Sequence, residues 1–235
     1  EDMLFEYVKN LKEKYRPSSV KKIAVSLTSF FKWMERRGYS DRLILDKFPR
    51  GLISVPRKSI VILTDRDYEL IKMAASGTTL YSLAVIGWNT GMRLLDCATL
   101  KWSEVSLEDR LITKDPSKTE EHETSVAIPM TDELFEMLKE MRAVRRDEYV
   151  DSFNAYRAMS GGMSKMFIAF LKKNGLYEKG KTFHAFRRTA ISRWLSHKNA
   201  DIVTVRNLSG HKSILGLLPY VHASNEKKKL IMGIE

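Results

Sequence analysis

Apolar positions recur at helical spacing through the first part of the chain. Leu4, Val8, Leu11 and Tyr15 predict a first helix. Pro17-Ser18-Ser19 breaks it and offers an N-cap. Val20, Ile23, Ala24, Leu27, Phe30, Phe31 and Met34 then form one stripe, which Gly38 is placed to end. Asp41 opens a shorter segment that Pro49 closes. Residues 50–62 have no helical period and contain Gly51 and Pro56, as a connection would. Thr64-Asp65-Arg66-Asp67 has the form of a capping box with Asp in the place of Glu, so a helix should follow. Another helix is expected over Thr79–Trp88, with Asn89-Thr90-Gly91 as a turn.

Beyond the next helical stretch the period changes from 3.6 to 2. Trp102–Leu107 and Arg110–Thr113 alternate about a Glu108-Asp109 turn. A polar loop from Lys114 to Thr124 leads to Ser125–Pro129, which completes three short strands of an antiparallel meander. Helices resume at Thr131–Tyr149, Ser164–Lys173, His184–Leu195, Asp201–Leu208 and Asn225–Met232. The expected fold class is mostly α with a small antiparallel β-sheet (α+β). The expected organisation is a helical domain at 1–55, a linker at 56–62 and a larger domain at 63–235 that ends in a tail helix.

Composition narrows the class. The 235 residues are 43% hydrophobic, enough for a packed core and too much for a disordered chain. A single cysteine, Cys97, excludes an intrachain disulfide framework and suggests a reducing, cytoplasmic setting. No apolar run approaches the roughly 20 residues of a membrane span, and Glu1-Asp2-Met3-Leu4 does not resemble a signal peptide. The net charge of +11 is uneven. Residues 1–60 carry 14 basic and 7 acidic side chains, residues 61–160 carry 12 and 18, and residues 161–235 carry 14 and 4. Two basic ends around an acidic middle suit a polyanion, because each phosphate neutralised releases condensed counterions.

Candidate chemistry follows by elimination and by pattern. Five scattered histidines and one cysteine give no metal-ligand spacing, and no phosphate-binding G-x-x-x-x-G-K-[ST] is present. Neither a metal nor a nucleotide cofactor is expected. Arg93 lies just after the Gly91 turn, and Lys118 lies in Ser117-Lys118-Thr119 on the inter-strand loop. His184 and Arg187 are three apart on one helix, His211 follows Leu208-Ser209-Gly210, and Tyr220 comes nine residues later. Each has an ordinary reading too. Arg93 could pair with Asp96 at the surface, Lys118 could be merely solvated, and His184 and Arg187 could be a routine helix face. His211 could be a cap and Tyr220 a packed turn aromatic.

Taken in order, Thr90-Gly91-Met92-Arg93, Ser117-Lys118-Thr119 before Ile128-Pro129, His184-Ala185-Phe186-Arg187, Leu208-Ser209-Gly210-His211 and Tyr220 resemble the tyrosine recombinase, or phage integrase, family. The resemblance covers nearly the whole chain. Asp96 stands where the family usually has Glu, and Phe186 where Leu is common. The resemblance implies a small core-binding domain that clamps double-stranded DNA, followed by a catalytic domain. Lys21, Lys22, Arg36 and Arg37 are then candidate phosphate contacts; a solvated helix face is the alternative for each.

It also implies roles. Arg93 and Arg187 would hold the scissile phosphate in place of a metal, since guanidinium forks are planar, always charged and bidentate. Tyr220 would attack phosphorus. A tyrosine hydroxyl has a pKa near 10 and needs help to lose its proton. His184 would accept or orient that proton, and His211 would bond the phosphate. Lys118 would protonate the departing 5′ oxygen, with Lys114 nearby as the competing candidate. The product would be a 3′-phosphotyrosyl enzyme, formed without ATP. A free monomer is expected to become a tetramer on paired DNA sites through exchange of the C-terminal tail. A type IB topoisomerase-like activity and a DNA-binding module without catalysis are the competing readings.

Overall fold

The computed structural model describes residues 2–39, 60–115, 125–144, 147–151, 162–197 and 199–221, with the side chains of residues 2–5 left aside. The segment expected from Asp41, Lys118 and the helix expected at 225–232 lie outside these residues. The chain divides into two compact units, Glu1–Ser59 and Ile60–Glu235.

In the first unit, α1 (Asp2–Lys14) packs against α2 (Pro17–Arg36) through Val8, Ala24, Leu27 and Phe31. Ser18 and Ser19 do not cap α2. The helix begins at Pro17, whose fixed φ and missing N–H suit a first helical position, after an extended Arg16. Lys21, Lys22, Arg36 and Arg37 are all exposed. So are Phe30 and Trp33, whose rings stack at 6.1 Å.

The second unit is built around α4 (Thr79–Thr90), a helix apolar on nearly every side. It packs against α3 (Asp65–Ala75), α5 (Leu94–Ala98), α6 (Asp132–Val144) and α8 (His184–Ser196). The expected capping box opens α3: Thr64 Oγ1 accepts from Asp67 N at 3.1 Å, and Asp67 Oδ2 accepts from Thr64 N at 2.9 Å. Trp88 stacks on Tyr68 with centroids 4.3 Å apart, and the Arg193 guanidinium covers the other face of this pair, 4.1 Å from the Trp88 ring. α7 (Gly162–Lys173) adds Phe167 against Phe183 and Phe186.

The sheet is a meander of β1 (Val105–Ser106), β2 (Leu111–Lys114) and β3 (Val126–Pro129), antiparallel throughout. Its register pairs Val105 with Ile112 and Ile112 with Ile128, which puts the alternating isoleucines in the core. α9 (Ile202–Ser209) packs on β3 and on α8.

Three further expectations need correction. Asn89 and Thr90 belong to α4, because both side chains bond back to carbonyls four residues earlier: Asn89 Nδ2 to Val85 O at 2.9 Å and Thr90 Oγ1 to Ile86 O at 2.6 Å. Only Gly91 leaves the helix. Trp102–Glu104 is a 3₁₀ turn rather than strand, closed by Glu104 Oε2 accepting from Lys101 N at 2.8 Å. The helix expected to reach Tyr149 is described over Asp132–Val144, and residues 147–150 are not helical. Residues 148–150 lie instead beside 100–102, with Val150 N donating to Leu100 O at 2.9 Å and Val150 fully buried.

Candidate active site

The site begins at the end of α4. Gly91 is left-handed (φ 59°), and its N–H donates to Gly87 O at 3.0 Å. A left-handed residue at that point turns the chain sharply, and glycine adopts it without a Cβ penalty. A Cβ there would also meet Ala190 Cβ at 2.9 Å, so α8 can approach α4 closely only because the side chain is absent. Two residues on, Arg93 is extended and stands as the N-cap of α5. Its Nη1 lies 3.7 Å from Oδ2 of Asp96, which is buried. The ordinary ion-pair reading of Arg93 is therefore satisfied, but both partners also line a cavity.

Arg187 comes from the first turn of α8 and is 5% exposed. Its Nη1 donates to Gly91 O at 3.0 Å and its Nη2 to Ser209 O at 2.5 Å. One planar fork thus ties the ends of α4 and α9 to α8. Burial, then the charge of Arg93, pulls its pKa down to about 10. A cation held out of water beside another cation is electrostatically costly. Arg93, Asp96, Arg187 and Ser209 line one cavity, whose wall is completed by Val126 and Ile128 of the sheet and by Lys114.

His211 and Tyr220, on the chain beyond α9, come within electrostatic reach of Arg187. Gly210 is left-handed and turns the chain, so His211 folds back with Nδ1 2.7 Å from Ser209 Oγ. Burial, then Arg187, Arg93 and His184, push the His211 pKa down to about 4. Those causes put His184 and both arginines within electrostatic reach of the ring. His184 is the first residue of α8 and is exposed. Tyr220 ends a 3₁₀ turn, Leu218–Tyr220, that packs on α8. It is half-buried against the cluster of Ile191, Val205 and Leu217, and its charge would couple to Arg187. Tyr220 is thus a packed turn aromatic and also a neighbour of the buried guanidinium.

Lys118 lies outside the described residues. Lys114 is largely sequestered: its Nζ donates to both oxygens of Glu104 at 2.9 and 2.8 Å and to Thr99 O at 3.1 Å. Its charge is spent on Glu104. The carbonyls of Gly91 and Ser209, which hold Arg187, had no signal in the sequence, because a backbone acceptor has no residue type. The Ser209 side chain was visible only as a polar residue before a glycine.

Chemically, the arrangement concentrates donors and positive charge, against one buried carboxylate, beside a tyrosine hydroxyl. It is suited to an oxyanion. Among the described residues, no three of His, Cys, Asp and Glu are grouped so as to hold a metal ion.

The profile of the phage integrase family matches residues 62–227. A tyrosine recombinase of Agathobacter rectalis is 22% identical over 97% of this chain and 79% of its own length. A XerC-like tyrosine recombinase of Caldanaerobacter subterraneus subsp. tengcongensis is 23% identical over 83% of this chain and 60% of its own. Among solved structures, the Tn1549 transposon integrase in complex with circular intermediate DNA superposes with a TM-score of 0.80. It is 21% identical, over 99% of this chain and 84% of that one. A lambda integrase tetramer bound to a Holliday junction gives 0.69 at 23% identity, over 89% and 63%.

Proposed function

The chain belongs to the phage integrase family, a family of site-specific DNA recombinases, and on that premise we propose that it cleaves and rejoins DNA through a covalent 3′-phosphotyrosine link to Tyr220. The observation that carries this reading is the shared cavity of Arg93 and Arg187, with His211 and Tyr220 beside it. Two cations held together at a cost make sense where a phosphodiester, and the extra negative charge of its transition state, will sit between them.

In this mechanism Arg93 and Arg187 take the non-bridging oxygens. Arg187 is preorganised, since its fork is already fixed by two carbonyls. His211 donates to the same phosphate. His184, exposed at the start of α8, takes or orients the proton of the Tyr220 hydroxyl as its oxygen attacks phosphorus. The P–O bond to the 5′ oxygen breaks, and Lys118 supplies the proton that the leaving oxygen needs. Lys114 is the weaker candidate for that proton, because Glu104 neutralises it. The phosphotyrosyl bond conserves the energy of the phosphodiester, so a second 5′-OH can reverse the attack without ATP. The exposed Lys21, Lys22, Arg36 and Arg37 of α2 are read as phosphate contacts of the first unit, the core-binding domain. The working form on paired sites is read as a tetramer joined by its C-terminal tails.

The test is a nicked duplex drawn from the DNA that flanks the gene encoding this chain. Cleavage should trap a protein–DNA adduct that denaturation does not release. Tyr220→Phe should abolish it while leaving DNA binding intact. Full adduct yield from Tyr220→Phe would show that another residue is the nucleophile. Relaxation of supercoiled DNA at no fixed position would instead favour topoisomerase-like action.

A further inference from the structure

An imidazole can donate to a phosphate oxygen from Nε2 only if that nitrogen carries a proton, and the partner of Nδ1 decides whether it does. In His211 that partner is Ser209, whose Oγ lies 2.7 Å from Nδ1. The same hydroxyl lies 3.1 Å from the Arg206 carbonyl oxygen, to which it can donate. Ser209 is 4% exposed. The other side of the ring is closed by Gly216, where a Cβ would meet His211 Cδ2 at 2.8 Å. The ring is therefore gripped at one nitrogen and along one edge.

We propose that Ser209 is a positioning residue whose hydroxyl keeps a proton on Nε2 of His211, so that this nitrogen remains a donor to phosphate whether the ring is neutral or charged. Two acceptors compete for the single hydroxyl proton: Oγ lies closer to Nδ1, at 2.7 Å, than to the Arg206 carbonyl, at 3.1 Å, and that carbonyl already accepts from the backbone N–H groups of Gly210 and His211. A serine hydroxyl has one proton and two acceptor lone pairs. When His211 is neutral, the hydroxyl donates to Nδ1, and the ring proton stays on Nε2. When His211 is charged, Nδ1–H donates to Oγ, and the hydroxyl swings to the Arg206 carbonyl. Every donor keeps an acceptor in both states, and Nε2–H is present in both. Without the hydroxyl, a neutral ring can hold its proton on Nδ1, which turns a lone pair at Nε2 toward an anionic oxygen.

The neutral state is the relevant one before DNA binds, since burial and the charges of Arg187, Arg93 and His184 hold the His211 pKa near 4. The same residue secures Arg187 through its carbonyl, which alanine retains. Ser209→Ala thus removes the hydroxyl's effect on His211 and leaves the Arg187 anchor in place.

The inference rests on reading His211 as a phosphate ligand, so its test has one arm that needs no substrate. Long-range ¹H–¹⁵N spectra of the full chain labelled in histidine report the His211 tautomer directly. The wild type should show the Nε2–H form near neutral pH, Ser209→Ala a mixture, and Ser209→Thr the wild-type form. An Nδ1–H wild type, or an unchanged tautomer in Ser209→Ala, overturns the proposal. The second arm measures single-turnover adduct formation on the nicked duplex. Ser209→Ala should slow it about 10–100-fold, the usual loss when the partner that orients a histidine is removed. DNA affinity should be unchanged. In a His211→Ala background the Ser209→Ala change should cost nothing further. An equal loss in both backgrounds would mean that Ser209 acts elsewhere, and the proposal fails. A wild type that forms no adduct would count against the recombinase reading alone, because the spectra still decide the tautomer.

Discussion

Arg93 and Arg187 line one cavity within electrostatic reach of His211, and the charge of both arginines works against protonation of that ring. The free protein resolves this by leaving His211 unprotonated: its pKa falls from 6.5 to about 4, through burial first and then Arg187, Arg93 and His184. The sign of the pH effect follows. The unfolded chain protonates this histidine below about 6.5, whereas the folded chain resists until about 4. Over that window the unfolded state binds more protons, so folding stability declines as pH falls, and the decline from this residue stops below about 4. Urea midpoints across the window should fall less in His211→Gln than in the wild type. A phosphate seated between the arginines reverses the local field. The His211 resonance followed by NMR should then titrate at higher pH in the DNA complex than in the free protein.

Among the elements, α4 does most to build the site, because its last turn delivers Gly91 and then Arg93. Gly91 meets three demands: a left-handed turn, a close approach to Ala190, and a carbonyl for Arg187. Gly91→Ala should cost about 2–5 kcal/mol, combining about 1–2 for a left-handed L-residue with about 1–3 for overpacking. Urea unfolding measures it, and adduct formation should be lost as Arg93 shifts. Thr64→Ala is the contrasting case. It removes the capping box of α3 at about 1 kcal/mol, yet should leave the cleavage rate unchanged, because the Thr64 side chain bonds Asp67 and does not line the cavity. The capping box was legible beforehand because its two partners lie three residues apart in sequence. The end of α4 was misread because Asn89 and Thr90 are turn formers by composition and here spend their side chains inside the helix.

For the whole molecule, the dominant feature is positive charge at both ends of the chain, around an acidic middle. Within the second unit, the cavity holds Arg93 and Arg187 where an anion can relieve their repulsion. Ligands that bind only the folded state stabilise it by mass action. Inorganic phosphate should therefore raise the thermal midpoint of the wild type beyond the effect of chloride at equal ionic strength. Arg93→Ala should abolish most of that difference, as differential scanning fluorimetry can show. Duplex affinity should fall steeply with salt. Each alanine at a true phosphate contact among Lys21, Lys22, Arg36 and Arg37 should reduce the log–log slope by about one. An unchanged slope in any of the four would assign that residue to the solvated face.

The sequence by itself determined the periodicities, the caps and the order of the polar residues, because these depend on neighbours a few positions apart. It therefore specified the helices flanking a three-strand meander, and it singled out Arg93, His184, Arg187, His211 and Tyr220. Only the tertiary structure decided how those residues meet. Arg187 depends on carbonyls 96 and 22 residues away, and Lys114 is silenced by Glu104 across a strand. Ser209 acquires meaning only once Gly210 folds His211 back over it. Backbone acceptors and long-range charge have no local signature, since they arise from packing rather than from the pattern of side chains.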